Sequence, residues 1–134
     1  MGRPDFSGRW EFNPSQSSLQ IPAPDSTTFV IDHNEPRFHL TRTHVFGGNS
    51  DTFSIELTTD GTPVEVNHAG LSISASLQWD GMTLVFDSTL DRNGERATNT
   101  VRYRLSEDDQ VFLADERFKS EGLNYDNRWV FDRQ

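Results

Sequence analysis

The sequence predicts an all-β protein, an up-and-down antiparallel β-barrel of about 8–10 strands that forms one domain over residues 1–134. Turn-forming pairs recur along the chain, and the clearest are Asp60-Gly61, Asp80-Gly81 and Asn93-Gly94. Both members of such pairs tolerate the positive φ angles of tight hairpin turns. Between the turns, apolar and polar residues alternate with a period of two, which is typical of strands that bury one face.

About ten segments show this strand pattern. In the clearest of them, Leu71, Ile73 and Leu77 share one face and serines occupy the other. The predicted strands are 8–13, 27–33, 36–46, 51–59, 63–66, 71–79, 82–90, 95–105, 110–119 and 124–132. Helical spacing is scarce, and the one candidate is a turn or two near 14–19, where Asn13 is a suitable cap and Pro14 a suitable first residue.

The connections between the predicted strands favour a closed barrel. Nearly all of them are short, and short connections join antiparallel neighbours. The one long link, 14–26, contains Pro14, Pro22 and Pro24, and we expect it to run outside the sheet. With no helices to cover the apolar face, rolling the sheet into a barrel buries that face and removes the edges together. A sandwich would need a second long connection, which the sequence lacks.

Composition and charge exclude several functions. The formal charge of −9 disfavours binding to nucleic acids or to anionic membrane surfaces. No apolar run is long enough to cross a bilayer, and the absence of cysteine excludes disulfides and thiol chemistry. The first residues show no secretory leader, so we expect a cytoplasmic protein as written, or an extracytoplasmic one if a leader was removed. A closed barrel favours a monomer, with a weak homodimer as the alternative.

Two polar residues stand out among the predicted interior positions. Arg42 and His44 lie on the same strand face as Phe38, Leu40 and Phe46. A buried guanidinium needs compensation. We therefore expect Arg42 to meet a carboxylate such as that of Glu116, ordered water, a ligand anion, or solvent at the barrel mouth. The strand at 110–119 leaves its inward face open, because either its even-numbered or its odd-numbered residues can point inward.

These interior positions define a candidate ligand site for a small apolar molecule. A mostly aromatic lumen with a few polar groups is the usual composition of such a site. The residues expected to orient the ligand are Arg42, His44, Tyr103, Tyr125 and Asn127, and those expected to contact it are Trp79, Phe38 and Phe53.

Motifs for catalysis or metal binding do not appear. His39 and His44 are five residues apart on one strand, so they point to opposite faces and are unsuited to bind one ion. Neither a Gly-x-Ser-x-Gly elbow nor a phosphate-binding loop is present. We predict no catalytic residue, no cofactor and no metal site, although a lone His44 in the lumen is a conceivable haem ligand.

The N-terminal segment carries a family resemblance. Residues 5–13, which include Phe6, Gly8 and Trp10, resemble the Phe-x-Gly-x-Trp opening of the calycin superfamily of lipocalins and fatty-acid-binding proteins, especially its small bacterial lipocalin-like members. The resemblance implies that Trp10 closes one barrel end and that a late-strand arginine packs across it. Arg128 matches that arginine best, and Arg104 is second. A guanidinium stacks well on an indole face.

The chain also departs from these families, so the function stays open. The 14–26 link is too short and too rich in proline for the two-helix lid of fatty-acid-binding proteins, and Arg128-Trp129-Val130 lacks their Arg-x-Tyr anchor. Three hypotheses remain. The barrel binds or transports a small hydrophobic ligand, or it is a filled barrel that serves as a structural or interaction module, or it is an enzyme or haem-binding protein of calycin shape.

Overall fold

Residues 3–134 are described by a computed structural model, in which they form ten antiparallel strands and no helix. The strands are β1 (Gly8–Phe12), β2 (Ser26–Asn34), β3 (Arg37–Phe46), β4 (Asn49–Thr58), β5 (Val64–His68), β6 (Leu71–Asp80), β7 (Thr83–Arg92), β8 (Glu95–Leu105), β9 (Val111–Ser120) and β10 (Leu123–Arg133). The all-β prediction is therefore confirmed, and each predicted strand boundary lies within two residues of the observed one.

The strands form one sheet in an up-and-down order that is rolled into a nearly closed barrel. Along the sheet the order is β4-β3-β2-β1-β10-β9-β8-β7-β6-β5. Sequential neighbours pair except for β4 and β5, and β1 pairs with β10, with Trp10 opposite Arg133. Because β4 and β5 are the two ends of this order, the described residues contain no backbone ladder between them, and the barrel has a seam there.

Side chains and a loop hold the seam between β4 and β5 together. At one end of the seam, the loop after β4 bonds to β6 through the amide of Gly61 and the carbonyl of Leu77, 2.9 Å apart. At the other end, His68 Nε2 lies 3.0 Å from Asp51 Oδ1, and the His68 ring contacts the Phe53 ring at 5.2 Å. The hydrogen bond from His68 holds the pKa of Asp51 below its ordinary value.

The long link between β1 and β2 lies against β10. The five-residue β1 pairs only with the last part of β10, which leaves backbone groups of β10 free for other partners. The backbone of Ser18 bonds to these groups. Its amide donates to the Arg128 carbonyl at 2.9 Å, and its carbonyl accepts from the Arg128 amide at 2.7 Å. The predicted helical turn is absent: Asn13 accepts from the Gln16 amide at 3.3 Å in a simple turn. Leu19 and Ile21 pack against the core, so the link covers the barrel edge.

One end of the barrel interior, which we call the closed end, is filled by rings. Its members are Phe6, Trp10, His33, Phe38, Trp79 and Phe112. Trp10 is completely buried, and its Nε1 donates to the Phe6 carbonyl at 3.0 Å.

The arginine that covers Trp10 is Arg133, and the prediction of Arg128 is wrong. The Arg133 Cζ atom lies 4.2 Å from the centre of the Trp10 ring. Arg128 has the opposite strand phase, so it points outward and binds Asp115 at 2.7 Å. Gly8 permits this closure, because its φ is +141° and an added Cβ atom would lie 2.7 Å from Arg133 Nη1.

Candidate functional site

The barrel interior contains a cavity of about 100 Å³ away from the closed end. Seven strands contribute to its wall, and most of the wall is aromatic or aliphatic. The lining residues are Phe29, Leu40, Arg42, His44, Phe53, Phe86, Asn99, Val101, Tyr103, Ala114, Glu116 and Trp129. We call this part of the interior the cavity end.

Among residues 3–134, Arg42 is the only cation in the cavity wall, and its partner is Asp51. Its Nη2 atom lies 2.9 Å from Asp51 Oδ2, and its Cζ atom lies 5.5 Å from the centre of the Phe53 ring. The Nε–H group is buried and has no hydrogen-bond partner among the described residues. Burial lowers the pKa of Arg42, and the charge of Asp51 opposes this effect. Of the partners considered from the sequence, a carboxylate is observed, but Asp51 supplies it in place of Glu116.

Glu116 faces the same cavity and is held by three N–H donors. Its Oε1 accepts from Asn127 Nδ2 and from Trp129 Nε1, both at 2.9 Å. Its Oε2 accepts from Asn99 Nδ2, also at 2.9 Å. The Asn99 carbonyl oxygen, Oδ1, is buried and has no partner among the described residues. The cavity therefore holds one unpartnered donor, on Arg42, and one unpartnered acceptor, on Asn99.

Two further polar groups of the wall are uncharged at neutral pH. Burial lowers the pKa of His44 to about 4, with the positive charge of Arg42 as the second cause. The His44 Nδ1 atom lies 2.7 Å from the hydroxyl of the fully buried Thr27. Burial, followed by the negative charge of Glu116, raises the pKa of Tyr103, so its phenol stays protonated.

Four of the eight predicted ligand residues line the cavity, and two of the others belong to the closed end. Arg42, His44, Phe53 and Tyr103 line the cavity. Phe38 is completely buried against Phe6 and His33, and the Trp79 Nε1–H donates to Glu35 at 2.9 Å. Both residues lie on inward strand faces, but their positions along the barrel axis place them at the closed end and not at the cavity.

The last two predicted residues lie beside the cavity on β10. Asn127 is buried, and it positions Glu116 and accepts from the Gln20 amide at 2.7 Å. Tyr125 is only partly buried and stacks on Phe118 at 4.7 Å. Neither residue belongs to the cavity wall.

Sequence reasoning missed Asn99 and Trp129 as wall residues and gave Glu116 only as an ion-pair partner. The signal for Asn99 is its phase, since it is two and four residues before the inward Val101 and Tyr103. The open choice on β9 is resolved by Phe112 and Ala114, which are buried, so Glu116 shares the inward face.

Within residues 3–134, no three potential metal ligands come together, and no helix has the length and hydropathy of a membrane span. The cavity of about 100 Å³ is smaller than the ~300 Å³ at which ligand pockets usually begin, and the haem hypothesis stays a prediction.

Solved structures show the same fold. Human cRBP IV is 14% identical, with 98% of this chain and 99% of that chain covered and a TM-score of 0.64. A secretory abundant heat soluble protein from Ramazzottius varieornatus is 13% identical, with 100% and 98% covered and a TM-score of 0.70. Zebrafish ileal bile acid-binding protein, complexed with cholic acid, is 12% identical, with 96% and 98% covered and a TM-score of 0.63.

These neighbours confirm the calycin-like fold that residues 5–13 predict. At such identities the likeness concerns the fold alone. No protein-family model matches the sequence, and neither does any curated protein sequence.

Proposed function

We propose that the barrel binds a small molecule with an apolar body in the cavity beside Arg42, Tyr103 and Glu116. The observation that supports this most is the pair of unpartnered buried atoms, Arg42 Nε and Asn99 Oδ1, in one largely apolar wall. An unsatisfied buried polar group costs about 1–3 kcal/mol, so two of them in one cavity favour an occupant that bonds to both.

The structural neighbours support the same function. The zebrafish protein of the same fold was solved with cholic acid bound, which is a small molecule with a large apolar surface. A calycin-like barrel with an apolar wall and a few convergent polar groups suits this class of ligand.

The seam between β4 and β5 offers a way to enlarge the cavity. Phe53 lines the cavity and also contacts His68 across the seam. Parting the two strands at the end near Asp51 breaks no backbone ladder and loses the Asp51–His68 pair and the ring contact, while the bond between Gly61 and Leu77 holds the other end. A partly exposed ion pair is worth only about 0–1 kcal/mol. A ligand with a tail therefore fits best with its head at Arg42 and its tail at the seam.

A filled barrel is the second candidate, and the cavity volume favours it. At ~30 Å³ for each water molecule, about 100 Å³ holds roughly three waters, and such waters would satisfy the two free atoms. In that case the protein is a structural or interaction module.

Decan-1-ol distinguishes these candidates when it is titrated into ¹⁵N-labelled protein. We expect saturable shifts of the Trp129 Nε1–H and Asn99 Nδ2–H signals, because both groups flank the cavity. Ala114→Leu fills the cavity and should abolish the shifts. Ala97→Leu adds the same volume on β8 outside the cavity wall and should retain them. Wild-type spectra that stay unchanged up to the solubility limit of the probe would exclude ligand binding and leave the filled barrel.

A further inference from the structure

The cavity is surrounded by charged groups of both signs. The positive charge of Arg42 is already compensated by Asp51 at 2.9 Å. Within the described part of the chain, the carboxylate of Glu116 is held only by the neutral N–H donors of Asn99, Asn127 and Trp129. The cavity region thus contains one guanidinium and two carboxylates.

The charge of Glu116 acts on the cavity and not only on its own hydrogen bonds. It contributes to the raised pKa of Tyr103, whose ring lines the same wall, and it favours the charged form of Arg42. His44, the other basic group of the wall, is neutral at pH 7 because its pKa is about 4. It therefore adds no positive charge that would attract an anion.

A ligand carboxylate is poorly matched to this environment. It would place a second anion in the cavity that Glu116 lines, and two carboxylates in one site disfavour their charged forms. A carboxylate also has no donor for Asn99 Oδ1, which would stay unpartnered. Arg42 Nε needs an acceptor and Asn99 Oδ1 needs a donor, and one neutral hydroxyl or amide group supplies both.

We infer that the cavity recognises a neutral head group that both accepts and donates a hydrogen bond, such as an alcohol or a primary amide, in preference to a carboxylate. This inference rests on the proposed function. The acceptor of the head group faces Arg42 Nε and its donor faces Asn99 Oδ1, while the apolar body lies against Phe53, Phe86 and Val101.

The test compares three probes with one tail, namely decan-1-ol, decanamide and decanoate, at pH 7.5. We expect the Kd of the alcohol and of the amide to be at least about tenfold lower than that of decanoate, because the site rejects the anion and leaves its own acceptor unpaired. Decanoate that binds as tightly as decanamide, or more tightly, would overturn the head-group inference and leave the proposed function standing. If none of the three probes binds, both are overturned.

A pair of variants on β9 identifies the source of the preference. Glu116→Gln removes the inward charge, and we expect it to narrow the ratio of decanoate to decanamide Kd to about threefold or less. Asp115→Asn removes the same charge from the outer face, where Asp115 binds Arg128, and should keep the full ratio. Equal narrowing in both variants would assign the preference to overall charge and overturn the role of Glu116. Thermal melting of both variants confirms that they fold.

Discussion

At the closed end of the barrel, Phe112 is completely buried, and its ring lies 5.9 Å from Phe6 and 5.5 Å from Trp10. At the cavity end, the inward positions of the same strands carry Arg42, Asn99 and Glu116 among the rings, and about 100 Å³ stays open. These polar side chains bond to Asp51, Asn127, Trp129 and each other at the cavity wall. Within one alternating strand pattern, rings fill one end of the interior, and the open space lies where polar side chains are interspersed among them.

Replacing one phenylalanine at each end by alanine tests the difference in packing, and we expect the largest change in stability here. Phe112→Ala should lower the free energy of unfolding by about 3–5 kcal/mol, since the ring is surrounded by other side chains. Phe53→Ala should lower it by only about 2 kcal/mol, because part of the Phe53 ring already faces open space. Urea denaturation measures both values. Equal losses would contradict the claim that the two ends differ in packing.

Substituting either of two arginines of β10 tests which of them covers Trp10 at the closed end, with a smaller expected loss of stability. Arg133→Met should lower the free energy of unfolding by about 1–2 kcal/mol, since Arg133 covers Trp10 and its Nε donates to the Asp109 carbonyl at 2.8 Å. Arg128→Met should change it by no more than about 0.5 kcal/mol, because the pair with Asp115 is on the surface. The quenching of Trp10 fluorescence should change only in Arg133→Met. A larger loss of unfolding free energy in Arg128→Met than in Arg133→Met would support the sequence-based prediction that Arg128 covers Trp10.

The last test concerns pH and the cavity end. His44 has a pKa of about 4 in the folded protein against 6.5 for an ordinary histidine, so as the pH falls through this window the unfolded chain takes up the proton first. Stability contributed by the neutral ring is therefore complete above about pH 6.5 and is lost towards pH 4, with a slope of at most about 1.4 kcal/mol per pH unit.

The variant that checks this is His44→Gln, which should flatten the dependence of the unfolding free energy on pH in that window. His39→Gln, on the outer face of the same strand, is the matched control and should retain the wild-type loss. NMR titration of the His44 ring gives its pKa directly. A value near 6.5 would show that the cavity end is open to water.

The fold could be predicted from the sequence because each strand is marked by local sequence signals. Turn pairs such as Asp80-Gly81 mark the ends of strands, and alternation assigns the inward face of residues such as Leu77 and Phe86, both of which are buried. These signals fixed the strand order, since short connections leave little choice of neighbour.

Only half of the predicted ligand residues line the cavity, because alternation predicts which face of a strand a residue occupies and not its position along the barrel axis. Phe38 and Phe53 have the same inward phase, yet only Phe53 reaches the cavity. The choice of Arg128 failed for a related reason. The predicted last strand ended at 132, although Arg133 continues the inward phase of Trp129 and Phe131. Hydrogen bonds such as that between Asn99 and Glu116 join separate strands and depend on register, which no single segment encodes.

The pairing of β1 with β10 has a consequence for biosynthesis. Of the ten strands, β1 leaves the ribosome first and β10 leaves last, yet each completes the other's hydrogen bonds. Until β10 has been made, Arg133 cannot cover Trp10, and the edge of β1 that pairs with β10 stays unpaired. Contacts of such long sequence separation form slowly, so this interval is when the chain is most exposed to aggregation and most in need of chaperones.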